Sequence, residues 1–326
     1  MIQILSTDGL TGTQAAIVKG MYSEWMDLCL GLIQESYGLT FDEANTTIDT
    51  IKVSFSDEAD SNALAYVSYT ANSAGEAMSL ALVVNLHYYQ NFNSADLNGD
   101  AGSGAGYLDR VLAHELTHAA MAANINYFSN LPKYIKEGSA EYMHGIDDFR
   151  YSTILTYAMQ SASTNVSGVL DGSYDEGSSA YAVGYTLLHY LTKTAAAATG
   201  SSQLQVMRDF ISSLDNATGT ADANYDAAVA ACSGGLYANR AALENAYKTA
   251  LQNYGGTDLA TAKAFLQNYC GIIMDNADTG AISGSDVGGS ETKTAASIVP
   301  EVGPISSWTL PPEASTYYED YGLTVI

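Results

Sequence analysis

Cysteine, proline, basic residues and long apolar runs are all scarce in this chain. Three cysteines in 326 residues allow one disulfide at most and show no CxxC spacing, which excludes a disulfide scaffold and a thiolate metal site. The longest apolar runs, such as residues 79–86, are too short to span a bilayer, so we expect no membrane insertion. Four of the five prolines lie at 300–312, within a Gly/Ser/Pro-containing region that we interpret as an irregular tail, residues 275–326.

Basic residues are also scarce relative to acidic ones. The chain has 12 Lys+Arg against 36 Asp+Glu, for a net charge of -24 and a pI near 4.2. Phosphate binding depends on Lys and Arg, so nucleic acid and anionic membranes are excluded as expected partners. The low lysine content fits an extracellular or cell-surface protein. The first ten residues have no basic region and no long apolar region, so we expect another export route or processing from a precursor.

The apolar content of 47% and a mean hydropathy near zero are typical of a globular protein. Apolar spacing predicts a helix over 13–37, and β-rich segments predict strands at 51–56, 64–70 and 79–86. From residue 106 onward helices dominate, near 108–124, 132–144, 150–161, 181–195, 203–214, 221–231, 237–253 and 258–270. We therefore predict an α+β protein with an N-terminal α/β subdomain (1–124), a helical subdomain (125–274) and the tail.

His114, Glu115 and His118 form an HExxH motif in the predicted helix 108–124. Positions i and i+4 of a helix share one face, so both imidazoles can reach one metal ion. Glu115 projects about 100° around the helix from His114 and stands beside the metal, where a base for water activation is required. The alternative is two core histidines that bond each other, which we disfavour because Glu115 would add a third polar group to an apolar helix.

A catalytic zinc needs a third protein ligand and an open fourth position. The next predicted helix carries Glu137 and Glu141 one turn apart. Eighteen residues separate His118 from Glu137, which is enough for a turn and an antiparallel return helix. We therefore predict Glu137 as the third ligand and Glu141 as a hydrogen-bond acceptor for a ligand imidazole. His144 is an alternative third ligand.

HExxH followed after eighteen residues by Glu137 within KEGSAEY resembles the gluzincin metallopeptidases, with the spacing of the aminopeptidase N-like branch. The resemblance implies a zincin-like fold, one catalytic Zn²⁺ and a protein or peptide substrate. The segment AYAVGYTLLHYL is similar to the Tyr-x-x-Gly helix of that branch, and the match gives Tyr181 the role of oxyanion donor. The alternative is that Tyr181 only packs on an amphipathic helix. No counterpart of that branch's Gly-x-Met-Glu-Asn strand exists beyond GEAMS at 75–79, which favours an endopeptidase.

Residues 85–150 resemble the flagellinolysin catalytic domain, a gluzincin-type domain inserted in some bacterial flagellins. LDRVLAHELTHA and EGSAEYMHGIDD match its signature. The apolar, heptad-like terminal helices of a flagellin are missing, so the resemblance covers the catalytic domain only and indicates a free-standing secreted relative.

These residues predict a mechanism. Zn²⁺ held by His114, His118 and Glu137 would lower the pKa of a water toward ~7, Glu115 would take its proton and pass it to the leaving amine, and Tyr181 would share the oxyanion with the metal. Residues 79–86 are a candidate edge strand that an extended substrate could join; a plain core strand is an equal alternative.

The loop DLNGDAGSG is a possible calcium loop, because Asp96, Asn98 and Asp100 alternate as in an EF-hand. Ala101 replaces the turn glycine and Tyr107 replaces the bidentate Glu, so we favour a solvated loop.

Two other functions remain open alongside a zinc endopeptidase. One is a surface or filament-associated structural protein whose zincin domain binds without cleaving. The presence of both Glu115 and Tyr181 weighs against it, since a decayed enzyme commonly loses its base first. The other is a zinc hydrolase of a non-peptide substrate.

Overall fold

The computed structural model describes most of the chain. The described residues are 2–4, 12–21, 25–40, 48, 50–90, 107–159, 164–295, 298 and 324–325. They fold into two compact units, the first comprising Met1–Glu35, Leu39–Ser129 and Ala295–Ile326, and the second Ser36–Gly38 and Asn130–Thr294. The proposed calcium residues Asp96, Asn98 and Asp100 lie outside the described residues.

Strands belong to the first unit and most helices to the second, which makes the fold mixed α+β. The described strands are β1 (Ile2–Ile4), β2 (Ile51–Ser56), β3 (Ala65–Ala71), β4 (Ala77–Asn85) and β5 (Thr324–Val325). The described α-helices are α1 (Gly12–Gly20), α2 (Met26–Tyr37), α3 (Leu108–Asn124), α4 (Lys133–His144), α5 (Tyr151–Ala158), α6 (Val166–Asp171), α7 (Ser179–Thr199), α8 (Gln203–Asp215), α9 (Ala221–Cys232), α10 (Arg240–Tyr254) and α11 (Leu259–Phe265).

The sheet of the first unit has the order β3-β4-β2-β1-β5. Strand β3 runs antiparallel to β4, and the other neighbouring pairs are parallel. Strand β4, which includes the proposed edge segment 79–86, therefore lies inside the sheet, and the prediction that it forms an edge is wrong. Its near-continuous apolar sequence is typical of a strand with a neighbour on both sides. Strand β3 occupies the edge.

Helix α3 packs on β3 and β4 because its apolar residues repeat at helical spacing. Leu108, Leu112, Leu116 and Ala119 of α3 are buried, and Leu80, Leu82 and Val84 of β4 are buried with them in the core of this unit. The more polar face of α3 carries His114, Glu115 and His118, which are only partly buried. The apolar stripe of the helix thus fixes which way its HExxH residues point.

In the second unit, α4 and α7 cross in direct backbone contact at two glycines. A Cβ added to Gly184 would lie 1.9 Å from the carbonyl oxygen of Tyr134, and one added to Gly138 would lie 2.5 Å from the carbonyl carbon of Gly184. No side chain fits in that space. Glu137 precedes Gly138, and Tyr181 lies one turn before Gly184, so both proposed site residues flank this crossing.

The segment after α11 closes over the C-terminal end of α4. Gly145 ends α4 with a φ of 72°, and the backbone N–H of Ile282 donates to the carbonyl of Tyr142 at 2.9 Å. The hydroxyl of Tyr185 in α7 donates to the carbonyl of Gly280 at 3.1 Å. The described first part of the tail, residues 275–294, is thereby anchored to both helices of the crossing.

Sequence periodicity located most elements correctly. The three predicted strands and the predicted helices from 108–124 to 258–270 match observed elements to within a few residues, the last continuing from α11 into a π-helical turn, Leu266–Cys270. The predicted helix 13–37 is instead two helices, α1 and α2. Strands β1 and β5 and helix α6 were not predicted, because two to six residues carry too little periodic signal.

Candidate metal centre

Helix α3 places the two HExxH imidazoles together on one face. Nε2 of His118 lies 3.1 Å from Nε2 of His114, and the rings meet edge to face with centroids 4.7 Å apart. Two nitrogen ligands about 2.05 Å from a tetrahedral zinc would be about 3.3 Å apart. The helix therefore presents the two nitrogens at almost the separation that one metal ion requires.

A backbone N–H group of the edge strand β3 fixes the carboxylate of Glu115. The backbone N–H of Val67 in β3 donates to Oε2 of Glu115 at 2.9 Å. Tyr89 is fully buried nearby, and its pKa is raised by burial first and then by the negative charges of Asp109 and Glu115. Glu115 therefore has one oxygen fixed by a backbone donor, which orients its carboxylate.

Glu141 is the most enclosed carboxylate of α4, with 1% of its side chain exposed. Its Oε1 accepts a hydrogen bond from Nε of Arg150 at 2.8 Å, and its Oε2 lies 3.0 Å from Nε2 of His144. Both oxygens thus have partners within this unit, and the arginine balances the buried charge.

Glu137 is only partly buried, one turn before Glu141 on α4. The neighbouring ammonium of Lys136 has its pKa lowered by burial, and the charge of Glu137 partly offsets that shift. Glu137 thus presents a partly accessible carboxylate beside the α4–α7 crossing, as a metal ligand must.

Arg150 is a site residue that the sequence analysis missed. Besides Glu141, its Nη1 donates to Oγ of Ser178 at 2.6 Å, and its guanidinium carbon lies 4.4 Å from the ring centroid of Tyr181. Arg150 thereby joins the C-terminal half of α4 to the start of α7 and stacks on the proposed oxyanion donor. The only sequence signal was the scarcity of basic residues: the chain has 12 Lys+Arg, and Arg150 lies two residues after the HGIDD segment.

The predicted ligand set is divided between the two units. His114 and His118 belong to the first unit, whereas Glu137, Glu141 and His144 belong to the second. That a carboxylate of α4 joins the two imidazoles on one metal ion therefore stays a prediction.

The residue types of the predicted set suit a catalytic metal. Two imidazole nitrogens and one carboxylate are a His₂Glu donor set, and His114, His118 and Glu137 are each partly exposed. Within the second unit, Glu141 is already engaged by Arg150 and His144, which makes it a less suitable ligand than Glu137. The chemistry of this donor set therefore fits zinc.

Comparisons with known proteins give no independent family assignment: no protein-family model, no curated protein and no solved structure matches this chain. None of the described helices is both long and apolar enough to cross a membrane.

Proposed function

We propose that this protein is a zinc-dependent endopeptidase with a zincin-like active site of the gluzincin type. The observation that carries the proposal is the placement of the Nε2 atoms of His114 and His118 3.1 Å apart on one face of α3, with the Glu115 carboxylate of the same helix fixed by a backbone donor. Glu137 of α4 is the proposed third ligand. Zinc bound by this set supplies Lewis-acid polarisation of a carbonyl group and activation of water at neutral pH.

The carboxylate of Glu115 is the general base in this proposal. The N–H of Val67 donates to its Oε2 at 2.9 Å and orients the carboxylate, which accepts the proton of the attacking water and passes it to the leaving amine. A carboxylate fixed by a backbone donor transfers protons without first having to reorient.

The hydroxyl of Tyr181 donates a hydrogen bond to the oxyanion that forms at the scissile carbonyl. Its ring is held by the Arg150 guanidinium at 4.4 Å, and Arg150 is itself fixed by Glu141 and Ser178. A donor that is already in place stabilises negative charge that appears only in the transition state.

The proposed substrate-binding edge is strand β3 instead of residues 79–86, because β3 lies at the edge of the sheet. The Leu64 carbonyl, just before β3, accepts from the N–H of Asn85 at the end of β4, whereas the N–H of Val67 points the other way, to Glu115. Alternate residues of a strand face opposite edges, so the backbone groups of Val67 and Tyr69 face away from β4. An extended peptide that pairs with this edge passes beside the general base.

Metal analysis combined with proteolysis tests the proposal. Wild type and Glu115→Gln are both expected to bind about one zinc per chain, and only wild type should cleave an unfolded protein. Removal of a general base typically lowers the rate by about 10²–10⁴-fold. Glu58→Gln, which removes an exposed carboxylate, is the matched control and should cleave at the wild-type rate.

Other results would refute the proposal in distinct ways. Equal turnover by Glu115→Gln would overturn the assigned mechanism. One zinc without proteolysis by wild type would favour a structural zincin domain or a hydrolase of non-peptide substrates. Substoichiometric zinc in wild type at micromolar free metal would remove the metal centre itself.

A further inference from the structure

The second unit contains a cavity of about 240 Å³ that the proposed chemistry does not use. It lies at the start of α4, beside the segment that follows α6 and the start of α10. Its charged and aromatic lining includes Lys133, Asp171, Tyr174, Asp175, Asp222 and Arg240. Cavities for drug-sized ligands are typically 300–1,000 Å³, so this one suits a single amino-acid side chain.

The cavity adjoins the proposed site residues of the same unit. Lys133 lies four residues before Glu137 on α4, and residues four apart on a helix lie on the same face. The Lys133 ammonium is 6.0 Å from the ring centroid of Tyr181, and Ala180, the residue before Tyr181, lines the cavity. A peptide whose scissile carbonyl meets the Tyr181 hydroxyl would therefore have a neighbouring side chain close to the cavity mouth.

Both cations of the cavity already have anionic partners. The Lys133 ammonium contacts both oxygens of Asp175, at 2.7 and 3.0 Å. The Arg240 guanidinium contacts Asp222 at 3.1 Å and Glu244 at 3.3 Å. An acidic ligand would have to compete with these carboxylates for either cation.

Asp171, the third carboxylate that lines the cavity, makes the net charge of the lining negative. Hydrogen bonds from Ser173 lower its pKa, so it stays ionised at neutral pH. Three aspartates thus face two cations around the cavity, in a chain with a net charge of -24. The ring of Tyr174 adds a surface on which a cationic group can stack.

We propose that this cavity is a subsite for a basic substrate side chain, arginine or lysine, next to the scissile bond. The proposal rests on the endopeptidase function proposed above. The guanidinium or ammonium group lies between Asp171 and Asp175, and the aliphatic part of the side chain contacts Tyr174. The enzyme therefore cleaves next to basic residues in preference to neutral or acidic ones.

Internally quenched peptides that differ at one position test the preference. That position carries arginine, its neutral isostere citrulline, or glutamate, and it is moved along the peptide on either side of the bond that is cleaved. At one position, kcat/KM is expected to be higher for arginine than for citrulline by up to about fivefold, since a partly exposed ion pair contributes up to about that factor. Glutamate there should be cleaved more slowly than citrulline.

Variants connect the preference to the cavity. The double variant Asp171→Asn/Asp175→Asn should lose most of the arginine-to-citrulline ratio. Asp209→Asn on α8, which makes a single charge change outside the cavity lining, should keep the ratio. A wild-type ratio near one at every position, or a ratio that the double variant retains, would overturn the proposal.

A binding measurement keeps the test independent of turnover. Arginine amide and citrulline amide are titrated into Glu115→Gln protein by NMR, with binding shifts expected for the cavity residues and only for arginine amide. Equal or absent shifts for both amides would reject the basic subsite. Specific arginine amide binding by a protein that cleaves nothing would support the cavity assignment and refute the endopeptidase instead.

Discussion

Arg150 contacts three side chains, two of which, Glu141 and Tyr181, are proposed functional residues. It donates to Glu141 and to Ser178, and its guanidinium stacks on the ring of Tyr181. A lysine in its place has one point charge and no planar fork, so it cannot maintain these three contacts together. Arg150 is therefore a positioning residue in the proposed mechanism, because it acts through Tyr181 rather than on the substrate.

We expect Arg150→Gln to lower kcat by on the order of tenfold to hundredfold, with zinc content and KM nearly unchanged, because a small misplacement of a catalytic group has an effect of that size. Tyr181→Phe should lower kcat similarly. If Arg150 acts through Tyr181, the double variant should be little worse than either single variant.

Steady-state kinetics in a double-mutant cycle measures that coupling. Arg208→Gln removes an exposed positive charge elsewhere and serves as the control. Additive losses in the double variant would show that Arg150 does not act through the tyrosine, and undiminished activity in Tyr181→Phe would remove that residue from the site.

At the scale of elements, the crossing of α4 and α7 brings the segments of Glu137 and Tyr181 together. The contact depends on two glycines, because a Cβ at position 184 would lie 1.9 Å from a backbone carbonyl oxygen that cannot move independently of its helix. Gly184, three residues after Tyr181, is therefore required for the close packing of α7 against α4.

Gly184→Ala is expected to reduce the free energy of unfolding by about 1–3 kcal/mol, the usual cost of forcing extra atoms into a packed contact. Gly31→Ala is the matched control in helix α2, where an added Cβ meets nothing within 4 Å. That substitution should raise stability by about 0.5–1 kcal/mol, because alanine is the better helix former.

Urea denaturation of the two variants provides the comparison. A loss in Gly184→Ala no larger than the experimental error would mean that the helices separate at no cost, and the packing argument would fail. Activity of Gly184→Ala should fall along with its stability, because the proposed oxyanion donor moves with α7.

At the scale of the whole molecule, buried titratable groups set the response to pH. His189 of α7 is fully buried between Tyr142 and Tyr185, with ring centroids 4.3 Å from each. Burial lowers its pKa to about 3, outweighing the backbone carbonyls of Cys270 and Gly280. Asp286 has the opposite behaviour, because burial raises its pKa to about 6.

The direction in which stability changes with pH follows from proton linkage. Below the ordinary histidine pKa of about 6.5, the unfolded chain takes up a proton at His189 that the folded protein does not, so stability falls as pH drops from about 6.5 toward 3. Protonation of Asp286 in the folded state opposes this loss between about pH 6 and 3.8.

His189→Phe keeps an aromatic ring between the two tyrosines. In this variant the free energy of unfolding should depend less steeply on pH below about 6.5, by at most about 1.4 kcal/mol per pH unit for one proton. Urea unfolding at pH 7, 6 and 5 measures the slope for both proteins. Parallel slopes would show that His189 is protonated in the folded state and would refute this assignment.

Much of the site could be predicted because its parts are local in the chain. His114, Glu115 and His118 lie within five residues on one helix, so the period of the α-helix is enough to place two imidazoles on one face. Glu137 was assigned as the third ligand from a spacing of eighteen residues and a helix signal; the structure confirms the helix, and the ligand role stays a prediction. Tyr181 came from the resemblance of a short segment, and its catalytic role stays a prediction.

By itself, the sequence determined the class of most elements and placed the two HExxH imidazoles on one helix face, because both depend on residues close in the chain. Only the tertiary structure decided that β3 rather than β4 forms the sheet edge, that Val67 fixes Glu115, and that Arg150 stacks on Tyr181. These contacts join residues 31 to 48 positions apart, and strand order and helix packing depend on which buried surfaces fit each other. Hydrophobic periodicity shows that a surface is buried but does not identify its partner.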